Sequence, residues 1–206
     1  MNGAAKPVRM ADLDSDLIVA TALAILEERG ISGFTMRGVA EALGVTPMAL
    51  YHHVKDKAAL AVLVVEASGR ERALPPPTGD WRVDMWGMAR WMRQTALARP
   101  AVGRLRSAYG IWTPSILQIT ERWMGLWKQS GLPLEIAIRA ATLSSTVIVG
   151  FVDQEIALAD MQRPNEALLA TLPDTRLAFT AAHDWEADFE IVVRAVIDGL
   201  HSRLEA

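Results

Sequence analysis

The 206-residue chain is 51% apolar with a net charge of −3, enough apolar surface for a sizeable core and too little positive charge for a bulk-basic nucleic-acid binder. It contains no Cys, which excludes disulfides and thiolate metal sites and fits an intracellular setting. No apolar leader precedes the first acidic cluster, and the most apolar run, residues 147–152, stops at Asp153 and Glu155, short of a membrane span; both point to a cytoplasmic chain with no membrane partner.

Helical spacing recurs throughout, and strict two-residue alternation is absent, so the chain reads as all-α. A first helix starts at Asp14 or Ser15 as N-cap, carries Leu17, Ile18, Thr21, Ala24 and Ile25 on one stripe, and stops at Gly30. Thr35 caps a second helix over 36–43. Gly44 then supplies a left-handed turn, Thr46 an N-cap and Pro47 a first helical position, which start a third helix over 47–54. Asp56 caps a fourth, running through Leu60, Val64 and Ala67. The run Pro75-Pro76-Pro77-Thr78-Gly79 is the clearest linker. Asp80 caps the next helix, striped by Trp81, Met85, Met88, Met92 and Thr95. Breaks at Arg99-Pro100, Thr113-Pro114, Gly131-Leu132-Pro133, Arg163-Pro164 and Leu172-Pro173 divide the remainder. A long helix spans 134–159, and a last one begins near Asp184 with Phe189, Val193, Val196, Leu200 and Leu204 on one face.

Two short helices joined at Gly44 fit a helix-turn-helix. Val39, Leu43, Val45, Leu50 and Val54 form an apolar back, leaving Pro47, Met48, Tyr51, His52 and Lys55 outside, the arrangement a helix needs to enter a major groove. Charge supports this locally: residues 29–57 hold Arg29, Arg37, Lys55 and Lys57 against Glu41 and Asp56, with Lys6 and Arg9 on the tail before them.

The stretch from Thr35 to Leu60 resembles the signature of the TetR family of transcriptional regulators, with Gly44-Val45-Thr46 leading to Leu50-Tyr51-x-His53-Val54 and then Lys57-x-x-Leu60. The resemblance covers residues 14–68, and its Leu-Tyr-x-His-Val-Lys-x-Lys run is similar to the tetracycline-repressor subgroup. It implies a three-helix DNA-binding domain with its arm over 1–56 and a larger effector-binding and dimerisation domain over 57–206, joined by a connecting helix at 57–74. By that likeness Tyr51 and Lys57 contact phosphates, while Thr46, Pro47, Met48, Ala49 and His52 face base edges or sugars. Arg37 is the candidate for a guanine contact. His53 either reads bases or packs and bonds backbone or phosphate.

Helix-turn-helix modules act in pairs, since half-sites roughly 34 Å apart give an affinity that one helix cannot. The family forms its homodimer from the two long C-terminal helices, which places Ala141, Ser145, Phe189, Val193, Val196 and Leu200 at the interface; the alternative is that both stripes are intramolecular core. Trp86, Trp91, Trp112, Trp123 and Trp127 lie on helices that enclose an effector cavity in the family, with Arg90, Tyr109 and Gln154 as polar anchors, whereas Trp81 and Trp185 read as helix-start anchors. Asp153 and Glu155 suggest a solvated face or an interface ion pair. No His lies between His53 and His183, so the magnesium–drug recognition of the tetracycline-repressor subgroup is not expected, and neither a metal nor a cofactor is implied.

The resulting expectation is a ligand-responsive repressor that binds a palindromic double-stranded operator as a homodimer and is released by a small apolar or aromatic effector. No nucleophile, phosphate loop or metal-ligand spacing supports an enzyme. The alternative is a helical interaction adaptor that keeps the fold without specific DNA binding.

Overall fold

A computed structural model describes residues 13–162, 164–180 and 183–205. The expected N-terminal arm with Lys6 and Arg9, and Arg163 of one predicted break, lie outside the described residues. The described residues hold helices and no strand: α1 (Ser15–Gly33), α2 (Met36–Leu43), α3 (Pro47–Tyr51), α4 (Lys57–Arg70), α5 (Trp81–Ala98), α6 (Pro100–Tyr109), α7 (Pro114–Gln129), α8 (Leu134–Asp160), α9 (Glu166–Leu169), α10 (Pro173–Thr180) and α11 (Trp185–Glu205).

The chain packs as two compact units, Met1–Leu74 with Ala98–Arg122, and Pro75–Leu97 with Trp123–Ala206. The first therefore extends past the expected boundary at residue 56. The reason is a shared core: Leu60, Ala61, Val64 and Val65 of α4 and Ala101, Val102 and Leu105 of α6 are buried in one cluster with Ile18, Ala22 and Leu26 of α1. Burying each such Leu or Ile contributes about 1.5–3 kcal/mol, which ties α4 to this unit.

Local chemistry sets the helix ends. Asp14, Thr35, Thr46 and Asp56 each accept a hydrogen bond from the backbone N–H three residues on, at 2.8–3.2 Å. Gly30 breaks α1 with φ 64°, as the sequence suggests, and the chain coils on to Gly33 before Phe34 enters the core. The buried stripe of α1 is Ile18, Val19, Ala22, Leu23, Ile25 and Leu26, shifted from the expected one: Ala24 is exposed, and Leu17 and Thr21 are half-buried. Neighbours on two sides, α2 and α4 with α6, widen the buried arc beyond a single stripe.

In the second unit α8 packs along α11. Residues Leu134–Ala159 are long and apolar enough to cross a membrane, contrary to the expectation of a short apolar run. That helix is nevertheless seated on protein: Ala137, Ala140, Ala141, Ser144, Ile148 and Val152 are buried, with Phe189, Val193 and Ile197 buried on α11. Asp80 holds the start of α5 through the N–H groups of Arg82 (2.9 Å) and Val83 (3.3 Å).

Candidate nucleic-acid interface

Gly44 ends α2 in the left-handed region at φ 69°, a conformation favouring glycine, and its N–H bonds back to α2. Two residues later Thr46 caps α3, with Pro47 as its first residue, so the turn and both helix ends rest on consecutive residues. α3 closes sooner than expected, at Tyr51, because the N–H groups of both His53 and Val54 return to the Leu50 carbonyl (3.0 Å each) and tighten the chain into a turn.

The back of this motif is buried as expected through Val39, Leu43, Leu50 and Val54, with Val45 half-buried. Its front is bare: Met48 is 67% exposed and Tyr51 48%, and Arg37, Thr46, Pro47, His52, His53 and Lys55 are also exposed. Thr46 commits its hydroxyl to the Ala49 N–H at 3.2 Å. Ala49 needs correction as a base-facing residue, because its methyl is 5% exposed and belongs to the core cluster. It lies one residue from Leu50 on the buried side of a five-residue helix. Lys57, expected at a phosphate, begins α4 half-buried with its ammonium 5.8 Å from the ring centroids of both Phe34 and Tyr109.

Ion pairs that were not legible in the sequence brace the same unit. Arg99 bonds Glu71 through Nε (2.7 Å) and Nη2 (2.9 Å) and Glu27 through Nη1, joining the start of α6 to α4 and α1. These carboxylates outweigh burial and raise the Arg99 pKa, the hydrogen bonds that Glu71 accepts contributing most. Glu66 on α4 accepts the Ser115 N–H at 3.0 Å and pairs with Arg70 at 2.6 Å. Burial pushes the Glu66 carboxyl up; Ser115, Thr113 and Arg70 together pull it further down, to below its ordinary value. Gly69 lies so close to Ser115 that an added Cβ would meet its Oγ at 2.2 Å.

The candidate effector residues divide between the two units. Tyr109 and Trp112 belong to the first unit, and Trp112 is 61% exposed beneath the Arg106 guanidinium. Trp86, Trp91, Arg90, Trp123, Trp127 and Gln154 belong to the second. There Trp123 and Trp127 are buried and donate their indole N–H groups to the Ser144 hydroxyl at 3.2 and 2.9 Å, Trp123 also to the Ala141 carbonyl at 3.1 Å. Trp86 lies against Phe189 and Arg194, Arg90 pairs with Glu186 at 3.1 Å, and Gln154 is exposed. Trp81 and Trp185 anchor helix starts, Trp81 against Trp127 and His201, Trp185 against Phe151 and His183.

Three interface candidates are corrected in the same way. Ala141, Phe189 and Val193 are buried within the protomer, where a small residue on α8 admits the indoles and an apolar stripe on α11 covers α8. Val196 and Leu200 are half-buried, and Ser145 is half-buried with its hydroxyl on the Thr142 carbonyl. The exposed apolar side chains of these helices are instead Leu134, Ile138, Leu143, Val147, Val149 and Ile191. Glu155 is neither solvated nor left for an interface: it forms a bidentate pair with the buried Arg93, at 2.7 Å per bond.

Comparison with known proteins supplies the remaining context. Residues 18–64 match the family model for bacterial regulatory proteins of the tetR family, and residues 75–204 match that for the tetracyclin repressor-like C-terminal domain. The tetracycline repressor protein class A from transposon 1721 of Escherichia coli is 30% identical over 94% of this chain and 93% of its own length. Among solved structures, a possible TetR family transcriptional regulator from Streptomyces coelicolor A3(2) superposes with a TM-score of 0.75 at 26% identity, covering 92% of this chain and 99% of that one. The Streptomyces coelicolor TetR family protein ActR in complex with actinorhodin gives 0.71 at 28% identity, over 94% and 98% of the two chains. With both of its parts matched in order along nearly the whole length, this chain belongs to the TetR family and is a transcriptional regulator rather than an enzyme.

Proposed function

We propose that the chain is a cytoplasmic repressor that binds a palindromic double-stranded operator as a homodimer and is released by a small apolar or aromatic effector. The observation that carries the DNA half of this reading is the polarity of the helix-turn-helix. Leu50 and Val54 are buried in the core cluster, while Met48, Tyr51, His52 and Lys55 face outward with Arg37 from α2. Met48 offers thymine methyls an apolar surface, Arg37 can bond guanine through two parallel N–H groups, and Tyr51 and Lys57 suit phosphates.

Pairing is supported by the second unit. Ile138, Leu143, Val147 and Val149 leave α8 with exposed apolar surface that a second copy would cover. The effector is expected in that unit, where Trp86 and Trp91 accompany Met85, Met88 and Met92 on α5. The class A tetracycline repressor and the actinorhodin complex of ActR are relatives whose names tie them to small molecules, which supports a ligand-released regulator without naming its ligand.

The test is titration against DNA flanking the gene at several salt concentrations, with competitor DNA and the Arg37→Ala and His52→Ala variants alongside. A dimer with roughly eight phosphate contacts gives a log–log salt slope near −7. Failure to select any site from a whole genome by an intact, folded protein would favour an adaptor that has kept only the fold.

A further inference from the structure

The lysine that begins α4 is half-buried. Lys57 is its first residue, directly after the Asp56 cap, and its ammonium lies 5.8 Å from each of two ring centroids, Phe34 beneath α1 and Tyr109 at the end of α6. Phe34 is fully buried, whereas Tyr109 is 39% exposed and is the last residue of α6, which Gly110 closes at φ 60°. All three residues lie in the first unit. A lysine carries four rotatable bonds and loses much side-chain freedom on binding, so a cation already seated against two aromatic faces has less left to lose.

We infer that Tyr109 is a positioning residue of the DNA interface: its ring, with that of Phe34, holds the Lys57 ammonium ready for a backbone phosphate. This rests on the regulator reading above and assigns Tyr109 to DNA binding in place of the effector role its sequence position suggested. Because Tyr109 closes α6, it also makes the seat of that cation depend on where α6 ends.

The sequence makes the contact observable, since Lys57 is one of only four lysines, with Lys6, Lys55 and Lys128. Reductive methylation with a 13C label keeps the charge and gives each lysine a methyl resonance; the Lys57 signal, assigned by its loss in Lys57→Ala, is expected upfield from ring currents. Tyr109→Phe keeps that shift and Tyr109→Leu moves it toward the Lys55 position. On DNA, Tyr109→Leu weakens operator and random sequence alike by roughly two- to fivefold per half-site, Tyr109→Phe leaves both unchanged, and Tyr109→Leu adds nothing in a Lys57→Ala background. Thermal melts run beside each variant separate this from general loss of fold. An equal loss with Lys57 present or absent, or no loss at all, overturns the assignment. If the wild-type chain binds no DNA while the methyl shift is present, the regulator reading itself falls, and Tyr109 positions a cation with no interface to serve.

Discussion

Arg93 and Glu155, 62 residues apart in the chain, meet through two parallel hydrogen bonds of 2.7 Å each in the interior of the second unit. Glu186 adds a third bond to the same guanidinium, and the Phe189 ring lies 5.3 Å from its carbon. The hydrogen bonds that Glu155 accepts outweigh burial and raise the Arg93 pKa. Removing Glu155 leaves the buried Arg93 with only the exposed Glu186. Glu155→Ala is expected to cost about 3–5 kcal/mol, read from chemical denaturation midpoints, whereas the paired change Arg93→Met with Glu155→Leu costs far less because no buried charge remains.

The close approach of α4 to α7 gives a prediction of opposite signs. A Cβ at Gly69 would lie 2.2 Å from Ser115 Oγ and 2.8 Å from its Cβ, while one at Gly103 on α6 meets nothing within 4 Å. Gly69→Ala is therefore expected to destabilise the protein by about 1–3 kcal/mol through overpacking. Gly103→Ala should stabilise it by about 0.5–1 kcal/mol, since alanine is the better helix former. Thermal midpoints moving in the same direction for both would contradict this placement of Ser115.

Glu66 predicts part of the acid limb. Its carboxyl sits below the ordinary value of 4.5 in the folded chain, so its stabilisation is complete above the unfolded value and is lost as pH falls through the lower, folded one. Urea midpoints measured from about pH 6 to about pH 3 should fall less steeply for Glu66→Gln than for the wild type, with the two curves converging at the acid end. Parallel curves would show that the Ser115 contact does not discriminate the carboxylate from the acid.

Base reading and phosphate anchoring separate by variant. Arg37→Ala is expected to cost about 1–3 kcal/mol on the operator and to relax preference at one base pair. Lys57→Ala should weaken operator and random DNA equally and reduce the salt slope by about one per subunit. Competition binding across single-base operator variants distinguishes them, and identical profiles for the two substitutions would refute the division of roles.

How far the sequence was legible follows from the range of each interaction. The caps at Asp14, Thr35, Thr46 and Asp56 each join residues three apart, so composition alone revealed them, as it did the turn at Gly44 and the linker after Leu74. Small and apolar residues were less informative. Ala49 and Ala141 could have been surface or core, and only the neighbours that close over them decide. An amphipathic stripe such as Phe189 with Val193 announces that it will be covered but not by which chain. The pairs Arg93 with Glu155 and Arg99 with Glu27 and Glu71 left no local trace, because their partners lie 28 to 72 residues away. Lys57 showed its charge in the sequence; its aromatic seat required Tyr109, which is distant along the chain.

α3 is five residues long, less than two turns, and a peptide of that length has no helical stability of its own in water. Its shape is borrowed from Leu50 and Val54 lodged in the cluster built by α1, α2, α4 and α6. The shape of α3 and the integrity of that cluster are thus one thermodynamic unit. The amides of α3 should exchange with solvent at the rate set by opening of the whole cluster, or faster by fraying. Warming or mutation that loosens α1 would therefore disorder α3 as well.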